Sequence, residues 1–279
     1  NIIVDGKEYL VTEGKSILES CREIGIKIPT LCYLKDISQN ASCGICVVEV
    51  KGARTIVRSC ISKATEGINI TTHSAAINIA RKTNLELLLA NHPKDCLICE
   101  RNGNCELQDL SALLGIKETP FERTKPVPKI DNSSLSLIRN PDKCILCGRC
   151  IAVCADVQTV YAIDFAGTGL KSKVSTYLDQ GLGNVACTNC GQCALVCPTA
   201  AIVERDESKD IMADIYDDNK IVIVQTAPAI RVGIGEAMGM GEGELVTGKM
   251  VAALRKLGFS KVFDTDFAAD LTIMEEGSE

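Results

Sequence analysis

Sixteen cysteines stand among 279 residues, and eight of them fall in two copies of one pattern. Cys144-Ile-Leu-Cys147-Gly-Arg-Cys150-Ile-Ala-Val-Cys154 is followed by Cys187-Thr-Asn-Cys190-Gly-Gln-Cys193-Ala-Leu-Val-Cys197-Pro198. A C-x2-C-x2-C-x3-C run wraps three thiolates round one [4Fe-4S] cube and sends its fourth cysteine to the neighbouring cube. The spacing therefore predicts one cluster on Cys144, Cys147, Cys150 and Cys197, and another on Cys187, Cys190, Cys193 and Cys154. A zinc ribbon would use paired knuckles with four ligands per metal, not eight cysteines in interleaved fours.

Upstream lies Cys32-x10-Cys43-x2-Cys46-x13-Cys60. Cys43-Gly-Ile-Cys46 offers two thiolates on one tight turn, and Gly44 lets backbone amides approach the sulfides, so a four-thiolate [2Fe-2S] cluster is the expected occupant. Between these sites runs His92-Pro-Lys-Asp-Cys96-Leu-Ile-Cys99-Glu-Arg-Asn-Gly-Asn-Cys105. Three cysteines are one ligand short of a cube, and the H-x3-C-x2-C-x5-C spacing makes a neutral His92 the expected fourth. Replacing one thiolate by imidazole removes a negative charge and raises the potential. Fifteen cysteines and His92 then divide into four ligands for each of four clusters. Cys21, on an apolar helical stripe, reads as a small buried hydrophobe, and His73 as a surface or capping residue.

The elements that must position these ligands imply an α+β, multi-domain chain. Residues 2 to 11 make two β-prone runs around Asp5-Gly6, a hairpin signal. Ser16 to Ile24 carries a helical stripe (Ile17, Leu18, Cys21, Ile24) ended by Gly25. With strands at Val47 to Val50 and Arg54 to Val57, this is the order of a β-grasp [2Fe-2S] ferredoxin domain, assigned to 1–73. A helix over 74 to 91 leads into a His-ligated [4Fe-4S] domain, 74–116. The prolines and serines of 117–140 read as a linker. A two-[4Fe-4S] ferredoxin-like domain occupies 141–204, with a strand at Tyr161 to Phe165, and 205–220 is an acidic linker. From 221 the pattern alternates: strand Ile221 to Val224, helix Glu244 to Leu257, strand Lys261 to Phe263, helix Phe267 to Glu276. That is the start of an α/β domain with a parallel sheet. Gly233, Gly235 and Gly239 have the wrong spacing for a dinucleotide loop.

A formal charge of −6, made more negative by about −2 for each all-thiolate cluster, excludes nucleic acid as a partner. No apolar run is long enough to span a membrane and no charged-then-apolar leader is present. Thiols serving as metal ligands suit a reducing, cytoplasmic setting. The chain opens at Asn1 without Met and reads as part of a longer polypeptide.

The double cysteine run resembles the bacterial two-cluster ferredoxin. The order of all four sites, followed by Gln225-Thr-Ala-Pro-Ala-Ile-Arg-Val-Gly-Ile-Gly-Glu236, resembles the [FeFe] (iron-only) hydrogenase catalytic subunit of the multisubunit, NAD(P)-linked or electron-bifurcating type. The resemblance implies 2H⁺ + 2e⁻ ⇌ H2 at an H-cluster, with Ala227, Pro228 and Ala229 lining its pocket and Glu276 and Glu279 on a proton path. It also implies a flavin (FMN)/NAD(P)-binding subunit, a small [2Fe-2S] subunit and ferredoxin as partners. The cysteine motifs that grip the H-cluster do not occur in this sequence and are expected beyond Glu279. An NAD-linked formate dehydrogenase subunit shares the cluster order, and a non-catalytic electron-transfer subunit is the remaining alternative.

Overall fold

A computed structural model of the chain describes residues 1–277. Glu279 lies outside the described residues. Two units are separated after Arg205.

The first unit begins with a hairpin, β1 (Ile2–Val4) and β2 (Lys7–Tyr9), turned at Asp5-Gly6. Helix α1 (Ile17–Glu23) starts at a capping box in which Ser16 and Glu19 satisfy each other's backbone N–H groups. Strands β3 (Val47–Val50), β4 (Val57–Arg58) and β5 (Asn69–Thr71) complete a five-stranded sheet in the order β2-β1-β5-β3-β4, with β1 and β5 parallel. β4 lies later than the expected Arg54 to Val57, because a turn at Gly52 (φ +89°) keeps Arg54 and Thr55 off the sheet. Ile17, Leu18 and Cys21 of α1 pack on Ile2, Val4, Val48 and Ile70. Burial pushes the Cys21 thiol up to about 11, as suits an inert core residue.

Helix α2 (Ala75–Ala90) is capped by Ser74, and α3 (Glu106–Leu113) follows the His92–Cys105 loop. In the expected 117–140 linker, Leu137–Arg139 instead forms strand β6, paired antiparallel with β9 (Ile202–Glu204). Asp131 also bridges to Arg139, so the tail of that segment is built into the cysteine-rich module. Helix α4 (Arg149–Ala152) runs into one π-helical turn, Val153–Val157, that carries Cys154. Strands β7 (Asp164–Ala166) and β8 (Lys173–Ser175) form a hairpin, and α5 (Gln192–Leu195) repeats the position of α4 in the second run.

In the second unit, residues 208–215, expected within a linker, form helix α6 (Ser208–Ile215). Ile215 sits where any Cβ on Gly258 would have to be, so the helix is packed rather than connecting. Parallel strands β10 (Ile223–Thr226) and β11 (Lys261–Asp264) are joined through α7 (Ile230–Ala237) and α8 (Thr247–Leu257), and α9 (Thr265–Glu276) follows. The register Ile223↔Lys261 to Thr226↔Asp264 moves β10 two residues beyond the expected run. Gly233 and Gly235 lie inside α7, not in a phosphate loop.

Candidate metal centres

Cys32, Cys43, Cys46 and Cys60 are all buried, carried by the loop between α1 and β3 and by the residues after β4. The Cys43 thiol donates to Cys32 and the Cys60 thiol to Cys46. These bonds are the largest cause lowering the Cys32 and Cys46 thiols and raising their partners Cys43 and Cys60. Backbone N–H groups also point at these sulfurs, from Ser42 to Cys32, Ile45 to Cys43 and Cys60 to Cys46. Four buried sulfurs within one another's electrostatic reach, ringed by amides, fit a four-thiolate cluster. Gly44 (φ +65°) adopts a left-handed turn, and a Cβ there would meet Asn84 Nδ2 at 2.6 Å. Asn84 Nδ2 donates to the Gly44 carbonyl at 2.8 Å. Arg81, also on α2, donates to the carbonyls of Ile45 (3.2 Å) and Val47 (2.9 Å). Thus α2, expected in the next domain, clamps the [2Fe-2S] loop.

His92 lies just past α2, with its ring largely enclosed. Burial lowers its pKa to about 4, so the imidazole is neutral at pH 7, the form a ligand requires. Its Nδ1 is buried with no hydrogen-bond partner. A buried unsatisfied nitrogen calls for an explanation, and a ligand supplies one. His92, Cys96 and Cys105 line one cavity, and Cys96 and Cys99 both act electrostatically on Cys105. His73 is exposed, with Nδ1 2.7 Å from the Thr72 hydroxyl.

The two cysteine runs adopt one geometry twice. Leu146 (φ +56°) and Asn189 (φ +55°) are both left-handed non-glycine residues, a strained conformation that surrounding structure must hold. Their N–H groups thereby reach back to Cys144 Sγ and Cys187 Sγ, each at 3.4 Å. Next come left-handed Gly148 and Gly191, and α4 and α5 start from them. One cavity is lined by Cys144, Cys147, Cys150 and Cys197, and a second by Cys154, Cys187, Cys190 and Cys193. Burial, then the charge of Cys197 and Cys144, pushes Cys147 up to about 12. Burial, then Cys187, Cys190 and Cys154, does the same to Cys193. Thiolates crowded this closely need positive charge among them, which cluster iron provides. Among the described residues, no three His, Cys, Asp or Glu side chains gather as ligands of a single ion.

The sites are not strung in chain order. Cys32, Cys43 and Cys147 share an apolar cluster with Ile45, Leu85, Leu107 and Ile145, and Asn40 Nδ2 donates to the Cys147 carbonyl at 2.9 Å. Arg149, between Cys147 and Cys150, forms a bidentate pair with Glu106, next to Cys105 (2.5 and 2.9 Å). Cys193 acts electrostatically on Cys150. The Cys144–Cys147–Cys150–Cys197 site therefore borders all three others, a junction that linear order does not reveal.

Four family descriptions match the chain. They are a 2Fe-2S iron-sulfur cluster binding domain over 1–75, the NADH-ubiquinone oxidoreductase-G iron-sulfur binding region over 81–120, a 4Fe-4S dicluster domain over 143–201, and the iron only hydrogenase large subunit, C-terminal domain, over 220–279. The chain is 48% identical over 283 residues to the NADP-reducing hydrogenase subunit HndD of Solidesulfovibrio fructosivorans, covering 100% of this chain and 48% of that protein. It is 36% identical over 280 residues to iron hydrogenase 1 of Clostridium pasteurianum, covering 49% of it. Along its whole length the chain is similar to these hydrogenase subunits, and its last 60 residues match the iron-only hydrogenase description. It spans about half the length of these curated relatives. A solved NAD+-reducing [NiFe]-hydrogenase chain, in the H2-reduced state, superimposes with a TM-score of 0.69 at 30% identity, over 73% of this chain and 86% of that one. The likeness to a nickel–iron enzyme covers most of the chain.

The family's C-terminal domain begins here with β10. Ala227, Pro228 and Ala229 are exposed at its carboxyl end, where α/β sheets bind ligands. They form the turn into α7, with Arg231 Nε donating to the Pro228 carbonyl at 2.9 Å. Glu276 is the exposed last residue of α9, roughly 16 Å of helix beyond the sheet edge where α9 starts.

Proposed function

We propose that this chain is the electron relay of an [FeFe] hydrogenase catalytic subunit, exchanging electrons between a flavin/NAD(P) subunit or ferredoxin and an H-cluster that interconverts protons and H2. The observation that carries it is the division of fifteen cysteines and His92 into four donor sets, within a chain whose last 60 residues match the hydrogenase large-subunit description. When bound, one [2Fe-2S] and three [4Fe-4S] clusters supply one-electron sites whose potentials follow ligand type, hydrogen bonds to sulfur and burial. The chain's own residues fix the ligands: Arg81 and Asn84 hold the Cys43–Cys46 turn, and left-handed Leu146 and Asn189 aim N–H groups at sulfur. The Arg149–Glu106 pair keeps two sites in register.

The Ala227-Pro228-Ala229 turn is the proposed edge of the H-cluster pocket, and Glu276 and Glu279 the proposed proton path, on family resemblance. The proposed partners are a flavin (FMN)/NAD(P)-binding subunit, a small [2Fe-2S] subunit and ferredoxin. A cytoplasmic location accompanies them, supported by the thiol chemistry; among the described residues no helix is long and apolar enough to cross a membrane. The hydrogenase match over 220–279 supports this reading over a formate dehydrogenase subunit. The test is electron paramagnetic resonance of the full-length polypeptide under H2 and under formate. Reduction of the clusters by H2 but not formate is expected; reduction by formate alone, or by neither, overturns the proposal.

A further inference from the structure

Lys143 is 5% exposed although it carries a full charge, and lysine is seldom buried without a partner. Its Nζ is 3.5 Å from Cys99 Sγ and 2.8 Å from Glu100 Oε2, with Asp95 Oδ2 at 4.0 Å. The next residue in the chain is Cys144 of the junction site. The Lys143 carbonyl accepts from the Thr199 hydroxyl at 2.8 Å, and that hydroxyl is 3.7 Å from Cys197 Sγ. Lys143 thus touches a sulfur of the His92 site with its side chain, precedes Cys144 of the junction site directly, and is linked to Cys197 through the Thr199 hydroxyl.

We propose that Lys143 is a positioning residue that sets the reduction potential of the His92–Cys96–Cys99–Cys105 centre through Cys99 and ties that centre to the junction site. This rests on the cluster assignment above. Reducing a cluster adds a negative charge, so a fixed cation donating to its sulfur favours the reduced form. Glu100 offsets this only partly: its side chain is 57% exposed and faces water, whereas the ammonium is enclosed. The lysine works as a compact point charge. A role in packing alone would need the stem and not the charge.

The test is an anaerobic redox titration of the cluster-loaded chain followed by electron paramagnetic resonance, with iron and sulfide counted per chain. At full iron content, Lys143→Met lowers the reduced-to-oxidised ratio of the His-ligated cluster about tenfold at fixed potential, equal to about 59 mV for one electron. Lys143→Arg, which keeps the charge, stays near wild type. Should Lys143→Met shed that one cluster, its retention in Lys143→Arg and loss in Lys143→Gln would equally show that the charge is required. An unchanged ratio in Lys143→Met at full iron, or equal cluster loss in all three variants, overturns the inference. A wild-type chain lacking the His-ligated cluster instead overturns the functional reading, and the inference with it.

Discussion

Replacing Arg81 by Met tests how the first cluster loop is held. The guanidinium is buried and donates to two carbonyls, Ile45 at 3.2 Å and Val47 at 2.9 Å, that flank Cys46. Burial depresses its pKa, and the neighbouring Cys46 sulfur acts the other way. Hydrogen bonds from a charged donor contribute about 1.5–3 kcal/mol each, and a buried carbonyl left without a donor costs about 1–3 kcal/mol. Methionine refills most of the volume, so cavity formation adds little. Two bonds lost together should therefore cost about 3 kcal/mol, within a factor of two. Urea unfolding followed by the visible circular dichroism of the [2Fe-2S] chromophore reads this directly. The midpoint followed by this chromophore should fall with an unchanged slope. A loss below about 0.5 kcal/mol, the level of an ordinary surface substitution, would refute the clamp.

Two further predictions concern the cysteine-rich module. Cys197→Ser and Cys144→Ser should remove the same cluster signal, and Cys154→Ser should remove the one lost in Cys190→Ser. Each should cost up to about four iron atoms, counted alongside magnetic resonance spectra; co-loss of Cys154 with Cys144 would refute the crossed ligation. Burial pushes Asp131 up, but hydrogen bonds from Ser133 and Leu182 and the Arg139 charge outweigh it and hold the carboxyl below its usual value. A depressed acid stabilises fully above its unfolded pKa of about 3.9 and loses that contribution as pH falls through the folded value. Stability of the wild type should therefore decline below about pH 4, measured by chemical unfolding, and Asp131→Asn should flatten that decline while lowering stability at pH 7.

Ligand spacing is local, so the cysteine runs could be read from the chain. Three ligands within seven residues leave the backbone few choices, and the fold gathers Cys144, Cys147 and Cys150 round one cavity. Contacts made at long range could not be read. Leu137–Arg139 is three residues of strand whose partner lies more than sixty residues later, so nothing near it signalled a sheet. Arg81 and Asn84 donate to backbone carbonyls, which leave no trace in side-chain patterning. The strand at Ile221 to Val224 was legible in kind but not in register, because a short apolar run does not fix its ends and the pairing with Lys261–Asp264 does.

The central claim is that sixteen donors serve four iron–sulfur centres. Iron and acid-labile sulfide, quantified per chain in anaerobically purified protein, test it most directly. One [2Fe-2S] and three [4Fe-4S] clusters require about 14 of each. Zinc, cystine bridges, or iron without matching sulfide would contradict it.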